Sequence, residues 1–285
     1  MVEMGKSALG VAETCRLLGI SRSSYYARKT RKPSPRSARC KVLVAHIIAI
    51  FEEHEGRYGC PRIHRTLREK GIRASRKTIA RLMREKQLVC RPRRRFRPMT
   101  TDSRHDGPIA PNLLAQNFSS DAPNRVWVGD ITAVWTDDGW MYLAVVIDLF
   151  SRRVVGWAMS ASPNAKLVVK ALKTALTLRQ PESGLIVHSD RGVQYASNVY
   201  RELLESAAAL PSMSRKGNCY DNAVAESFFS TLENELRCRC EFFGLRDAEQ
   251  VVGAYIDNYY NRTRMHSTLD YKSPNEYESC ARATA

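Results

Sequence analysis

The spacing of apolar positions along this chain changes period, and the change divides it. Before residue 90 they recur at helical spacing: Ile79, Leu82 and Met83 share one side of the segment Ser75–Arg84, with Arg76, Lys77, Arg81 and Arg84 on the other. From residue 125 the period falls to two. The run Arg125–Thr132 sets Val126, Val128, Asp130 and Thr132 on one face of a strand. The pattern predicts strands near 125–135, 140–149 and 153–159, made into a meander by the turn-like Asp137-Asp138-Gly139 and Ser151-Arg152. A helix near 164–179 follows, then the apolar strand Gly184–Asp190, a helix near 197–208, a short strand near 211–214 and a helix through Asp221–Leu232. Three antiparallel strands followed by alternating helix and strand imply an α/β mixed sheet behind an all-α segment.

Two helical hairpins stand in that all-α segment. In Val11–Tyr26, Gly19 supplies a tight turn and Ser21 can cap the second helix, which would turn Arg22, Ser23 and Tyr26 outward. A plain helical hairpin fits this segment as well as a helix-turn-helix. The second hairpin, Pro61–Gly71 and then Ser75–Arg84, is the better DNA-binding candidate, because its basic residues stay available for phosphate or base edges. The domains expected are a helix-turn-helix segment over 1–32, a second basic helix-turn-helix domain over 38–99, a Pro-, Asn-, Asp- and Ser-rich linker over 100–122 and a catalytic core over 123–283. Residues 30–37 read as a short basic linker that tracks a DNA groove.

Charge sharpens this division. Residues 1–120 hold 27 Lys and Arg against 9 Asp and Glu, and residues 121–285 hold 18 against 20. The whole excess of +16 therefore sits in front, including the run Arg91–Arg97 with Arg93, Arg94 and Arg95. That asymmetry points to an N-terminal half that binds a polyanion and a C-terminal half that does chemistry.

Candidate chemistry rests on acids. Asp190 ends its strand, where open sheets present ligands, and Glu226 lies 35 intervening residues further on, in a helix whose Val224, Phe228, Phe229 and Leu232 fall mostly on one side. For the third acid, position and period leave Asp130 and Asp148 equivalent.

The neighbours of these acids form five ordered motifs: Trp127-Val128-Gly129-Asp130-Ile131-Thr132, His188-Ser189-Asp190-Arg191-Gly192-Val193-Gln194-Tyr195, Asn222–Phe229, Tyr260–Leu269 and Ser273-Pro274. Together they resemble the second-frame product of IS-three family insertion-sequence transposases, over about residues 10 to 280. The resemblance implies a ribonuclease H-like core of the retroviral-integrase type, with Asp130, Asp190 and Glu226 as its catalytic and metal-binding triad and Asp148 an ordinary strand residue. It adds Asn222, Arg264 and His266 as candidate DNA contacts, and it matches His188, Gln194, Tyr195 and Asn261 to the same motifs. For His188, inside a strand, packing is the favoured role. Two positions depart from the family: Glu233, two turns after Glu226, where a Lys or Arg is usual, and Asp270, where Gly is more frequent.

The chemistry expected is metal-dependent phosphoryl transfer. Two Mg²⁺ or Mn²⁺ ions would be held by hard oxygen ligands, with Asp130 bridging them, Asp190 on one and Glu226 on the other. Water would make the first nick and the freed 3′ hydroxyl would attack in strand transfer. The resemblance implies circularisation of the element before insertion. Expected partners are element-end and target DNA, a second copy of the chain or more, and an upstream-frame product supplied as partner or fusion. Scattered cysteines without a C-x-x-C pair imply no disulfide framework, and the spacing of His46, His54, Cys60 and Cys90 does not suit structural zinc. No apolar run suits a membrane span and Met1–Gly10 lacks a secretory pattern, so a cytoplasmic, nucleoid-associated protein is expected. Two other functions fit less of the pattern: a DNA-binding regulator with an inactive nuclease-like domain, and a nuclease that only hydrolyses.

Overall fold

The computed structural model describes residues 10–32, 34–90, 107–215, 219–237 and 241–284, which fall into two compact units divided after Val89. The first unit is all helical: α1 (Val11–Leu17), α2 (Arg22–Thr30), α3 (Pro35–Glu53), α4 (Cys60–Glu69) and α5 (Arg76–Glu85). Gly19 and Gly71 both take the left-handed conformation at the turns (φ 64° and 74°), which an L side chain would resist. Ser21 and Ser75 then cap α2 and α5 by accepting the Ser24 and Thr78 N–H groups. Ile63, Leu67, Ile79, Leu82 and Met83 bury the α4/α5 hairpin against Leu43, Ile47 and Ile50 of α3, a stripe at i, i+4 and i+7.

The expected basic linker at 30–37 is corrected here. Helix α2 runs to Thr30 and Ser34 already caps α3, so only residues 31–34 connect them.

The second unit is a five-stranded mixed sheet in the order β3-β2-β1-β4-β5, with β1 (Val126–Thr136), β2 (Gly139–Asp148), β3 (Val154–Ser160), β4 (Ile186–Ser189) and β5 (Leu210–Met213). Strands β1, β2 and β3 form the antiparallel meander, whereas β4 and β5 run parallel to β1. This is the α/β mixed sheet expected from the order of elements, in the ribonuclease H-like arrangement that the family resemblance implies. Helices α6 (Ala165–Arg179) and α7 (Asn198–Ser206) cover one face through Trp127, Ile131 and Val146. Helices α8 (Ala223–Leu232) and α9 (Leu245–Ala254) cover the other through Val128, Val145 and Ile147. The sheet is thus buried on both sides, with the period-two alternation of β1 feeding two separate cores.

Part of the expected 100–122 linker belongs to this unit. Leu114 is buried, Asn112 donates to Asp221, and the Leu113 N–H is received by Ser212 at the end of β5. The chain ends in α10 (Pro274–Thr284), tied down by Glu278. That buried carboxylate takes hydrogen bonds from Ser151 and Arg153 beside β3 and two from Arg179 at the end of α6.

Candidate active site

Register brings the first two acids together. In the parallel pair, Val126, Trp127 and Val128 of β1 stand opposite Ile186, Val187 and His188 of β4. Continuing that register by two residues sets Asp130 opposite Asp190, both past the last paired residue of the ladder. In open sheets with parallel strands, ligands bind beyond the carboxyl ends of the strands, and Asp190 follows the end of β4.

Each carboxylate is held locally. Asp130 accepts the Ile131 N–H at 2.8 Å, and Asp190 accepts the Gly192 N–H at 2.9 Å. Gly192 is required at that turn, because a Cβ there would lie 2.7 Å from Gln194 Oε1 and 3.0 Å from Asp190 Oδ1. The turn is pinned further by the Gln194 amide, which donates to the Pro163 carbonyl at 2.7 Å. It returns the buried Tyr195 ring to Gly129, directly before Asp130. Burial, then the charges of Asp130 and Asp190, raise the Tyr195 phenol well above its usual range, so it stays protonated beside the acids.

Glu226 arrives on the first turn of α8, whose Ala225, Phe228, Phe229 and Leu232 bury its other side against the sheet. Burial first, then Asp190 and more weakly Glu226, raise the Asp130 carboxyl well above the carboxylate range; the Ile131 N–H opposes them. Asp130 therefore feels the charge of both other acids. Among the described residues, however, no three His, Cys, Asp or Glu side chains already stand as a formed metal cage.

Asp148 has other partners. It pairs with Trp127 across the β1/β2 ladder, while Asp130 pairs with Val145, so the two acids project from opposite faces of the sheet. Fully buried, Asp148 accepts from the Asn124, Phe150 and Ser151 N–H groups and from the Trp127 indole. It fixes the end of β2.

The other expected site residues are scattered. Arg22 lies on exposed α2, and Arg76, Lys77, Arg81 and Arg84 are exposed on α5, where Arg81 pairs with Glu85. Arg93, Arg94 and Arg95 lie outside the described residues. Asn222 is buried just before α8, and its Oδ1 makes no hydrogen bond. Arg264 is corrected: it is 5% exposed and gives three hydrogen bonds to the equally buried Glu235, so its guanidinium does not face a phosphate backbone. His266 turns its Nε2 to the Tyr260 hydroxyl at 3.0 Å. His188 is fully buried between Ser212 and Ser214, the packing role expected for it.

Two partners of the site escaped the sequence reading. Asp221 is buried one residue before Asn222, where bonds from Arg215, then from its backbone and Gln116, hold its carboxyl below the usual range despite burial. Glu235 was not singled out, although an acid between Leu232 and Leu236 on an apolar stripe was a signal that it needed a buried cation.

A mixed sheet that sets two acids in register, in a chain whose other unit is helical and exposes Arg and Lys, suits a DNA-acting polynucleotidyl transferase, and the comparisons supply the family. Residues 120–219 and again 209–274 match the family described as Integrase core domain, and residues 38–96 match the HTH-like domain family. The chain is 44% identical over 260 residues to the Insertion element IS600 uncharacterized 31 kDa protein of Shigella sonnei, covering 91% of this chain and 95% of that one. It is 43% identical to the Transposase for insertion sequence element IS904 of Lactococcus lactis over 87% of this chain and 98% of that one. With Transposase InsF for insertion sequence IS3A of Escherichia coli it shares 39% identity over 98% and 97%. The chain belongs to the IS-three family of insertion-sequence transposases.

Proposed function

We propose that this transposase cuts and rejoins the ends of its element with Asp130, Asp190 and Glu226 as catalytic acids. The observation that carries the reading is the β1/β4 register, which puts Asp130, midway along β1, opposite Asp190, just after β4, with the charge of Glu226 felt at Asp130. Three carboxylates form a donor set suited to hard divalent cations. Two Mg²⁺ or Mn²⁺ ions, when bound there, would stabilise charge on the entering and leaving oxygens of a phosphodiester. Asp130, Asp190 and Glu226 would hold them, and the bound cations would offset the burial and neighbouring charge that oppose ionisation of Asp130.

The remaining residues bind and orient. Tyr195 backs the acid pair, while Asn222, one turn before Glu226, brings an unpartnered buried carbonyl oxygen to the edge of the site. Arg22, Arg76, Lys77, Arg81 and Arg84 would contact phosphates of the element end, with Ser21 and Ser75 fixing the helices that carry them. His266, turned to Tyr260, would order its loop instead of reading DNA. Two ends must be held at once, so a homodimer or larger assembly on DNA is expected, with an upstream-frame product as partner or fusion.

Labelled element-end DNA incubated with the purified protein and Mg²⁺ tests the reading: nicking followed by strand joining is expected. Asp190→Asn should lower the rate by at least 10³-fold while DNA affinity stays within about twofold; turnover at the wild-type rate would remove Asp190 from the site. A second reading, a DNA-binding regulator with an inactive nuclease-like domain, is favoured by Glu233, which shares the face of Glu226 and would repel phosphate. Sequence-specific binding without any cleavage would establish that reading instead.

A further inference from the structure

The described structure contains one arrangement that the reaction does not obviously require, and it lies behind α8. After Leu232 the helix widens into a π turn over Glu233–Arg237, and a second π turn, Tyr255–Tyr260, follows α9. Single π turns cluster at functional sites because they displace a side chain from the regular helical stripe. The two turns and α8 are bound by a ring of five side chains. Phe228 meets Tyr260 edge to face, with centroids 4.8 Å apart and planes at 88°. The Arg264 guanidinium lies 5.6 Å from the Tyr260 ring. It then grips the Glu235 carboxylate through Nε at 2.8 and 3.0 Å and Nη2 at 2.9 Å, and the Tyr255 hydroxyl donates to the same carboxylate at 3.0 Å.

Phe228 follows Glu226 by two residues, about 200° round the α-helix, and so points away from it, while Glu235 lies in the π turn that continues α8. The ring therefore grips the back of the helix that presents Glu226. Apolar packing alone leaves a helix some freedom to slide or roll, because it is non-directional. A forked guanidinium on a carboxylate permits one orientation, since its parallel N–H bonds have fixed geometry. A buried ion pair adds little net stability over an apolar pair of similar volume, and its attested use is to select one arrangement.

We infer that Glu235 and Arg264 are positioning residues which fix the roll of α8, so that Glu226 completes the metal-binding site with Asp130 and Asp190. The inference rests on the triad reading above, so the test includes a variant of the triad itself.

The experiment is Mn²⁺ binding to the full-length protein, followed by the electron paramagnetic resonance signal of the free ion, with thermal unfolding recorded in parallel. The double variant E235Q/R264M keeps the volume and removes both buried charges. Its expected result is a cooperative fold with Mn²⁺ affinity reduced at least tenfold, matching E226Q. If E226Q weakens binding and the double variant binds like wild type, the positioning role is overturned and the pair is structural. If E226Q also binds like wild type, the triad reading fails and the inference with it. Should the double variant not fold, R264K retains the charge but not the fork, and undiminished Mn²⁺ affinity there overturns the inference.

Discussion

Ionising Asp130 in the folded chain is opposed by burial and by the charges of Asp190 and Glu226. A carboxyl raised in this way stabilises the fold below its unfolded pKa and loses that contribution as pH rises through the folded value. At neutral pH, then, the metal-free protein holds a strained acid. Asp130→Asn should raise the thermal midpoint without metal by about 2–4 °C, the shift from about 1 kcal/mol in a unit of this size. The same substitution should abolish cleavage, and a lowered midpoint in calorimetry would contradict the charge argument. Mg²⁺ affinity should climb with pH above the usual carboxylate range as Asp130 loses its proton, which Mg²⁺ titrations at a series of pH values would record. Asp270 illustrates a different kind of strain. It takes φ 51° in the left-handed region, which glycine adopts freely and an aspartate only at some cost. Asp270→Gly should stabilise the protein by about 0.5–1 kcal/mol in chemical denaturation, and an unchanged midpoint would mean that the backbone relaxes.

At the scale of elements, the α10 anchor makes the most exposed prediction. Burial pushes the Glu278 carboxyl up, but the bonds from Arg179 and Ser151 more than offset it, so it stays below its ordinary range and ionised. Glu278→Ala would strand the buried Arg179 and should destabilise the second unit by about 3–5 kcal/mol, measured by urea unfolding. Most elements were legible in the sequence for a simple reason: strands with one face in each core and helices with one apolar stripe keep their period. The strands and helices of the sheet unit therefore fell within a few residues of expectation, and Asp190 stood where a strand ends. Tertiary effects hid the rest. Period alone could not choose Asp130 over Asp148, because both lie on apolar strands; the register that turns them to opposite faces supports the proposed choice of Asp130. The π turns were invisible because an extra residue per turn breaks the 3.6-residue spacing that would announce them. Arg264 looked like a DNA ligand because its loop reads as basic and polar, and only the fold supplied Glu235.

For the whole molecule, the division of charge becomes a division of labour. The helical unit exposes Arg76, Lys77 and Arg84 along one side of a capped helix, and it contributes binding free energy from released counterions. Arg76→Ala and Lys77→Ala should each weaken element-end binding and reduce the slope of log K against log salt by about 1. Arg81→Ala should do less, since Glu85 already occupies its guanidinium. Equal slopes for all variants in a fluorescence-anisotropy titration would place the DNA elsewhere.

The Arg179–Glu278 bridge has a further consequence in time. Its partners lie 99 residues apart, and a ribosome adding about 5–20 residues per second takes about 5–20 s to pass from one to the other. Throughout that interval Arg179 has no native carboxylate to receive it, so the sheet unit would gain this buried pair only late in synthesis. A prematurely released polypeptide lacking Glu278 would carry the three proposed catalytic acids on a unit weakened by the loss of that pair, and firm presentation of a cutting site to DNA would await synthesis past that residue.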